Sequence, residues 1–183
     1  SIIIPFYEEI NYKSLKKKNK KIRFLYVSTG ESHKNHSILL KAFKSFYQIN
    51  KNYELVLTVD KKYNHLFKRI RYLQSKKIPI INKGYLSKNK LKEQYLKADI
   101  VIYPSLKESF GLGLIEACQF KLPIIASNKP YVKEVIIPSY SFDPNSIKSI
   151  IFSMNKSKEL LDKPALLLTE NKINNLFDLL IKK

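Results

Sequence analysis

Hydrophobic positions along this chain fall into short unbroken runs that alternate with longer stretches of helical spacing. Ile22–Ser28 and Tyr53–Val59 read as strands, as do the shorter Ile78–Ile81, Ile100–Tyr103, Pro123–Ala126 and Ser139–Phe142. Between them, Asn35–Ile49 brings Ile38, Leu39, Ala42, Phe43 and Phe46 to one helical face, and Lys61–Lys76 does the same with Leu66, Ile70 and Leu73. Asn89–Lys97 reads as a helix opened by Ser87, followed by helices at Gly113–Phe120, at 130–136 and at Asn145–Asn155. The tail from Ala165 to Ile181 predicts a final docking helix through Leu168, Ile173, Leu176, Phe177 and Leu180.

Strands that are apolar throughout, rather than alternating, belong in a sheet covered on both faces, and helices between them make the sheet mostly parallel. Right-handed crossovers then give an α/β, doubly wound, Rossmann-like domain over residues 22–183. Residues 1–21 read differently. Ile2-Ile-Ile-Pro5 is followed by Lys16-Lys-Lys-Asn-Lys-Lys21, too charged to pack, which predicts a lead-in or interdomain connector. The chain opens at Ser1 without Met, an expectation of a piece of a longer protein or a separately encoded subunit.

In such a sheet ligands sit beyond the carboxyl ends of the strands, so the loops there deserve the closest reading. One is Glu108-Ser-Phe-Gly-Leu-Gly-Leu-Ile-Glu116, which joins a strand to a helix start and is bracketed by two carboxylates. Free N–H groups and the positive end of a helix suit a phosphate, and flanking acids accept hydrogen bonds from hydroxyl groups. Ser28-Thr-Gly-Glu-Ser-His-Lys-Asn35 is the second loop: Gly30 permits a tight turn and Lys34 stands at a helix entrance within reach of a diphosphate. Its blander reading has Asn35 or Ser32 capping the helix and Lys34 exposed. The third, Lys83-Gly84-Tyr85-Leu86-Ser87, needs only a positive φ at Gly84 and a cap at Ser87, although its backbone and Tyr85 or Leu86 can also flank a base.

Composition narrows the chemistry. With 183 residues and 44% hydrophobic content the chain can bury one core. The net charge of +19 comes mostly from lysines spread along the sequence, the mark of a solvated surface. They form no basic helix, zinc pattern or aromatic RNA-binding motif, which argues against nucleic acid, while contact with an anionic membrane surface stays open. Gly111-Leu-Gly113 lacks the third glycine of a dinucleotide fingerprint, and no phosphate-binding loop of the ATPase kind is present. The single cysteine, Cys118, sits in an apolar run and reads as core. His33, His36 and His65 have no carboxylate or cysteine at ligand spacing, so no metal site is expected; His36 and His65 read as surface or capping residues, and His33 as a neighbour of the phosphates. No apolar run approaches a membrane span and no signal-like segment is present, so the expected location is cytoplasmic, peripheral at most to the inner face of the membrane.

Five blocks in order carry a family resemblance. Gly84-Tyr-Leu-Ser87, Leu96-Lys-Ala-Asp99-Ile-Val-Ile-Tyr-Pro-Ser105, Glu108 to Ala117, Lys121-Leu-Pro-Ile-Ile-Ala-Ser127 and Glu134-Val135 together resemble the C-terminal domain of group 1 (family 4) retaining glycosyltransferases, which have the GT-B fold. The resemblance implies a nucleotide-sugar donor, UDP- or GDP-linked, and a glycan or lipid-linked acceptor in surface polysaccharide or lipopolysaccharide synthesis. It implies catalytic roles for Glu108, on the donor sugar hydroxyls, and Lys34, on the leaving diphosphate. Ser109, Phe110, Gly111 and Leu112 would lie beside the sugar and diphosphate, Glu116 on the ribose, Gly84, Tyr85 and Leu86 on the base, and Gly30 and His33 along the phosphates. No metal or other cofactor is implied. Family members usually carry an Arg before the lysine, where this loop has Thr29, Gly30 and Glu31. The acceptor-binding N-terminal domain is absent from this sequence, so a partner half in cis or as a separate subunit is expected, with weak activity or none from this half alone. A non-catalytic nucleotide-sugar-binding subunit and a basic domain for nucleic acid or anionic membrane are the competing readings.

Overall fold

A computed structural model describes residues 20–169. Its core is a six-stranded sheet built from β1 (Ile22–Tyr26), β2 (Tyr53–Leu57), β3 (Ile80–Asn82), β4 (Ile100–Tyr103), β5 (Ile124–Ser127) and β7 (Tyr140–Phe142). The order is β3-β2-β1-β4-β5-β7, and all five pairings are parallel. The chain winds outward from β1 through α1 (His36–Ile49) and α2 (Asn64–Ser75) to β3. Helix α3 (Lys88–Lys97) returns it to β4, and α4 (Leu112–Gln119) carries it on to β5. Right-handed crossovers therefore put α1 and α2 on one face and α3 and α4 on the other. The winding reverses between β1 and β4, the doubly wound arrangement that the apolar runs predict.

Burial follows the sequence pattern closely. Phe24, Leu25 and Tyr26 of β1 and Leu55, Val56 and Leu57 of β2 are fully enclosed, as unbroken hydrophobic strands must be when helices cover both faces. From α1, Leu39, Leu40, Ala42, Phe43 and Phe46 fill one side; Ile70 and Leu73 of α2 pack beside them. Helix α6 (Ile147–Asn155) lies against α1 and leads into the short α7 (Ser157–Leu160). Cys118 is buried as expected, and burial pushes its thiol pKa up to about 12, so it stays protonated.

Several expectations require correction. Helix α2 begins at Asn64 rather than Lys61, because the Asp60 carboxylate accepts from Lys62 N and folds residues 60–63 into a turn. Helix α5 (Pro130–Val135) stops one residue short of 136, where the chain enters β6 (Ile136–Ile137). The start of the expected tail helix is β8 (Leu166–Leu167), antiparallel to β6; an apolar Leu run satisfies its backbone on a free edge as readily as in a helix. The rest of that tail, like the lead-in over 1–19, lies outside the described residues.

A polar hub ties the carboxyl ends of β1, β4 and β5 together. The Tyr26 hydroxyl donates to the Lys34 carbonyl at 2.9 Å and shares a hydrogen bond of 2.8 Å with Ser105 Oγ. The Ser105 carbonyl in turn accepts from Ser127 Oγ at 2.8 Å and from the Tyr131 hydroxyl at 2.9 Å. Next to this hub His36, expected at the surface or in a capping role, is only 3% exposed and bonds Ser28 Oγ through Nε2 at 3.1 Å. Desolvation lowers its pKa to about 4, Lys34 adding to the effect and Glu31 opposing it.

Two outcomes follow. Tyr26→Phe leaves the buried Ser105 hydroxyl without its partner and should cost about 1–3 kcal/mol in urea unfolding. His36 is neutral when folded, so the unfolded chain binds the extra proton: stability present above pH 6.5 is lost as pH falls toward about 4. Chemical denaturation across that window should show a loss of about 3 kcal/mol that His36→Gln removes.

Candidate functional site

The reversal point between β1 and β4 is where an open parallel sheet leaves a crevice at its carboxyl edge. The β1–α1 loop enters it through a short 3-10 turn, Ser32–Lys34, that ends at Asn35. Asn35 is left-handed, with φ 59°, and is buried. It occupies the capping position of α1, yet its side chain does not cap the helix. Instead Nδ2 donates to the carbonyls of Pro104, at 3.2 Å, and Pro144, at 2.8 Å. The Leu106 N–H adds a bond to the His33 carbonyl at 2.8 Å. These bonds fix the β1–α1 loop against the β4–α4 loop.

That fixation brings Lys34 onto Glu108. Nζ stands 2.6 Å from Oε2, with the two side chains 15% and 8% exposed, so Lys34 is not the exposed lysine of the blander reading. The other carboxylate oxygen, Oε1, accepts from the Tyr103 hydroxyl at 3.1 Å. Both oxygens of Glu108 are thus held, one by a cation from β1's loop and one by the last residue of β4. A charge pair this enclosed is stronger than a surface pair but must offset a larger desolvation cost.

Beyond Glu108, Ser109 is exposed, Phe110 packs against the core, and Gly111 adopts φ 72° immediately before α4. This left-handed turn is the local reason for glycine there. It starts α4 at Leu112, one residue earlier than the spacing predicts, and leaves Leu112 53% exposed at the helix entrance. The first N–H groups of α4 have no partner within the helix and face the crevice end of the sheet. Gly113 sits where a Cβ would come within 3.1 Å of the Tyr103 ring. The residue after the turn is therefore packed directly on the ring that holds Glu108.

Glu116, just over one turn into α4, faces α3 rather than Lys34. Its Oε2 accepts from the Tyr95 hydroxyl at 2.8 Å, and Lys88, Leu91, Lys92 and Phe120 complete a small hollow around it. Burial raises the pKa of Glu116, with the Tyr95 hydrogen bond and Lys88 working against the rise. The third loop keeps the form its sequence implies: Gly84 has φ 68°, Tyr85 is 83% exposed and Leu86 is half-buried. Ser87 occupies the α3 capping position, although its side chain makes no capping bond.

Lys34 and Glu108 are therefore in contact, Glu116 stands apart on α4 with Tyr95, and Tyr85 lies at the rim. Gly30 departs from the group: it lies under the Tyr63 ring on the far side of the 3-10 turn, where any Cβ would collide with that ring. Thr29 and the Tyr63 hydroxyl both bond Glu31, so the segment that lacks the family's usual Arg is tied to the start of α2. Sequence reading missed Tyr103 and Tyr95 as partners of the two acids. The one signal available was a tyrosine ending an otherwise aliphatic strand. Among the described residues no three His, Cys, Asp or Glu side chains are grouped to hold a metal ion, and no helix is long and apolar enough to cross a membrane.

Comparison with known proteins bears on the family and the fold. Residues 8–175 match the family described as glycosyl transferases group 1. The serotype-specific mannosyltransferase WbdA of Escherichia coli is 32% identical over 114 residues, which cover 61% of this chain and 14% of that protein. The O-antigen chain mannosyltransferase RfbU of Salmonella typhimurium is 29% identical over 165 residues, 87% of this chain and 45% of that one. The chain thus spans less than half the length of either relative. Among solved structures, the C-terminal domain of the group 1 family glycosyl transferase LpcC from Francisella tularensis superposes with a TM-score of 0.65 at 20% identity, covering 90% of this chain and 86% of that one. That likeness shows a shared fold. With the family match running through nearly all of its length, this chain belongs to the group 1 glycosyltransferases, and its fold is that of their C-terminal domain.

Proposed function

We propose that the chain is the donor-binding half of a retaining glycosyltransferase that takes a sugar from a UDP- or GDP-sugar and passes it to a glycan or lipid-linked acceptor in the synthesis of a surface polysaccharide. The observation that carries this reading is the Lys34–Glu108 pair at the sheet's reversal point, beside the open start of α4. A cation, free N–H groups and a carboxylate within one crevice suit a ligand that is anionic at one end and hydroxylated at the other. The mannosyltransferase names of WbdA and RfbU make mannose the first sugar to try.

In this proposal Lys34 and the N–H groups of Phe110, Gly111 and Leu112 take up the charge that develops on the departing diphosphate. Glu108, already held by Tyr103, accepts from hydroxyls of the donor sugar and so sets the orientation of its anomeric carbon. Glu116 accepts from the ribose hydroxyls, with Ser109 beside the sugar and Gly84, Tyr85 and Leu86 bordering the base. The bond from the anomeric carbon to the diphosphate oxygen breaks as the acceptor oxygen bonds to that carbon, and the proton of the acceptor hydroxyl passes to the departing diphosphate. No metal is required, because fixed cationic and dipolar groups stabilise the leaving charge. The acceptor belongs mainly to a facing second domain, in cis or as a separate subunit, and the lysine-rich surface suits approach to an anionic membrane carrying a lipid-linked acceptor.

A second reading keeps the nucleotide-sugar but omits turnover. Thr29, Gly30 and Glu31 stand where relatives place a second phosphate-binding cation, and Glu31 is engaged with Tyr63 instead. Loss of one guanidinium from a phosphate clamp weakens the stabilisation of a leaving group more than it weakens binding.

UDP or GDP at a hundred times its Kd should stabilise the chain by about 2.7 kcal/mol, a rise of roughly 5–10 °C in melting temperature. Glu116→Ala and Lys34→Met should each abolish the rise while circular dichroism still reports a folded α/β domain. If neither nucleotide moves the melting temperature of the wild-type chain, the donor-site reading fails.

A further inference from the structure

A second cavity is present besides the crevice at Lys34. It lies on the other side of the 3-10 turn, between the β1–α1 loop and the first turns of α2, and encloses about 460 Å³. That is within the range of small-ligand pockets, roughly 300–1,000 Å³. Its wall includes Glu31, His36, Ser37, Tyr63, Asn64 and Arg69. The cavity shares the β1–α1 loop with the donor crevice but is walled by α1 and α2, whereas Glu116 and Tyr95 lie on the opposite face of the sheet.

The wall is chemically mixed. Arg69 Nη1 donates to Ser37 Oγ at 3.1 Å and keeps further N–H donors. The first turns of α1 and α2 both open here, and neither capping residue, Asn35 or Tyr63, closes its helix with a side-chain bond. His36 contributes a ring that is 3% exposed, bonded to Ser28 through Nε2 and without a hydrogen-bond partner at Nδ1 among the described residues. Against these donors stands the Glu31 carboxylate. Partial burial works to raise its pKa, but bonds from Thr29 and Tyr63 hold it at about 2, so it is ionised at neutral pH. Leu66 and the edge of the Tyr63 ring supply an apolar surface, the ring itself being flanked by Gly30 and by Lys62 Nζ 5.3 Å from its centroid.

A free anion matches the helix starts and Arg69 but meets the fixed charge of Glu31. A purely apolar ligand leaves Arg69 and the N–H groups unpaired. A neutral polyol satisfies both sets, with hydroxyls that accept from Arg69, Asn64 and the helix starts and donate to Glu31, and with C–H faces for Leu66 and Tyr63. We propose that this cavity is a saccharide subsite that holds a neutral hexose segment of the acceptor or product glycan, away from the reacting end. The glycan identity of the occupant rests on the glycosyl-transfer reading of the neighbouring crevice.

The test is amide-resolved NMR on the 183-residue chain with three probes used separately: mannotriose, inorganic phosphate, and UDP or GDP. Mannotriose at about 5 mM, suited to a millimolar Kd, should move the amides of Gly30, Ser37 and His65. Arg69→Ala should weaken that binding about tenfold, the worth of one charge-assisted hydrogen bond, and leave the nucleotide-induced shifts at Gly111 and Leu112 unchanged. A mannotriose response that persists when neither nucleotide binds still supports the subsite, so its fate is separable from that of the donor reading. Unmoved cavity amides overturn the inference, as does mannotriose binding undiminished in both Arg69→Ala and Asn64→Ala. Phosphate that displaces mannotriose from the same amides also overturns it and makes the cavity an anion site.

Discussion

Two proline carbonyls, at Pro104 and Pro144, end up buried at the carboxyl edge of the sheet, and one side chain answers both. Buried backbone oxygens without partners are costly, and neither residue can recruit a neighbour through its own N–H, since proline has none. Asn35 supplies both hydrogen bonds from Nδ2, and its left-handed backbone turns the chain into α1 at the same point. Asparagine tolerates that conformation better than most residues and carries two amide hydrogens. The position of Lys34, one residue earlier, is a by-product of this fixation. So is the short reach from Lys34 to Glu108, across 74 residues of sequence.

The resulting crevice is electrically balanced when empty. Lys34 and Glu108 neutralise each other in a poorly hydrated space, while the lysines that dominate the net charge of +19 lie elsewhere on the surface. An anionic ligand on Lys34 competes with Glu108 for the three ammonium donors, and any share that Glu108 loses calls for donors beyond Tyr103. A ligand carrying both phosphate and hydroxyl groups meets those two demands together. One carrying phosphate alone leaves a half-buried carboxylate short of partners.

Much of this was legible in the sequence, and for a physical reason. Strands buried on both faces need continuous apolar runs, and helices covering them need a 3.6-residue period, so β1, β2, α1 and α2 declare themselves. Glu108, Lys34 and the glycine turns sit in or at the ends of loops whose place at the sheet edge follows from the order of elements, and Glu116 follows in the helix that one of those loops opens. The partners were not legible. Tyr103 belongs to a strand whose neighbours are all apolar, and nothing local reveals that its hydroxyl reaches a carboxylate five residues on. Tyr95 and Glu116 meet only because α3 and α4 pack on the same face. His36 reads from sequence as a surface or capping residue because polarity is a poor guide where a helix start is roofed by a loop. Leu166–Leu167 illustrates the opposite error: an apolar run of helical appearance was drawn onto an unpaired strand edge by tertiary context.

The absence of a side chain at Gly113 has a mechanical consequence. Helix α4 rests on the Tyr103 ring at this point, and the same helix carries Glu116 less than one turn further on. Glu108 is bonded to that ring, so the seat of α4 on the ring links the acid of the loop to the acid of the helix. Helix α4 therefore works as a ruler between the carboxylates. A side chain at Gly113 would lift α4 from the ring and change the spacing of the two carboxylates in one step.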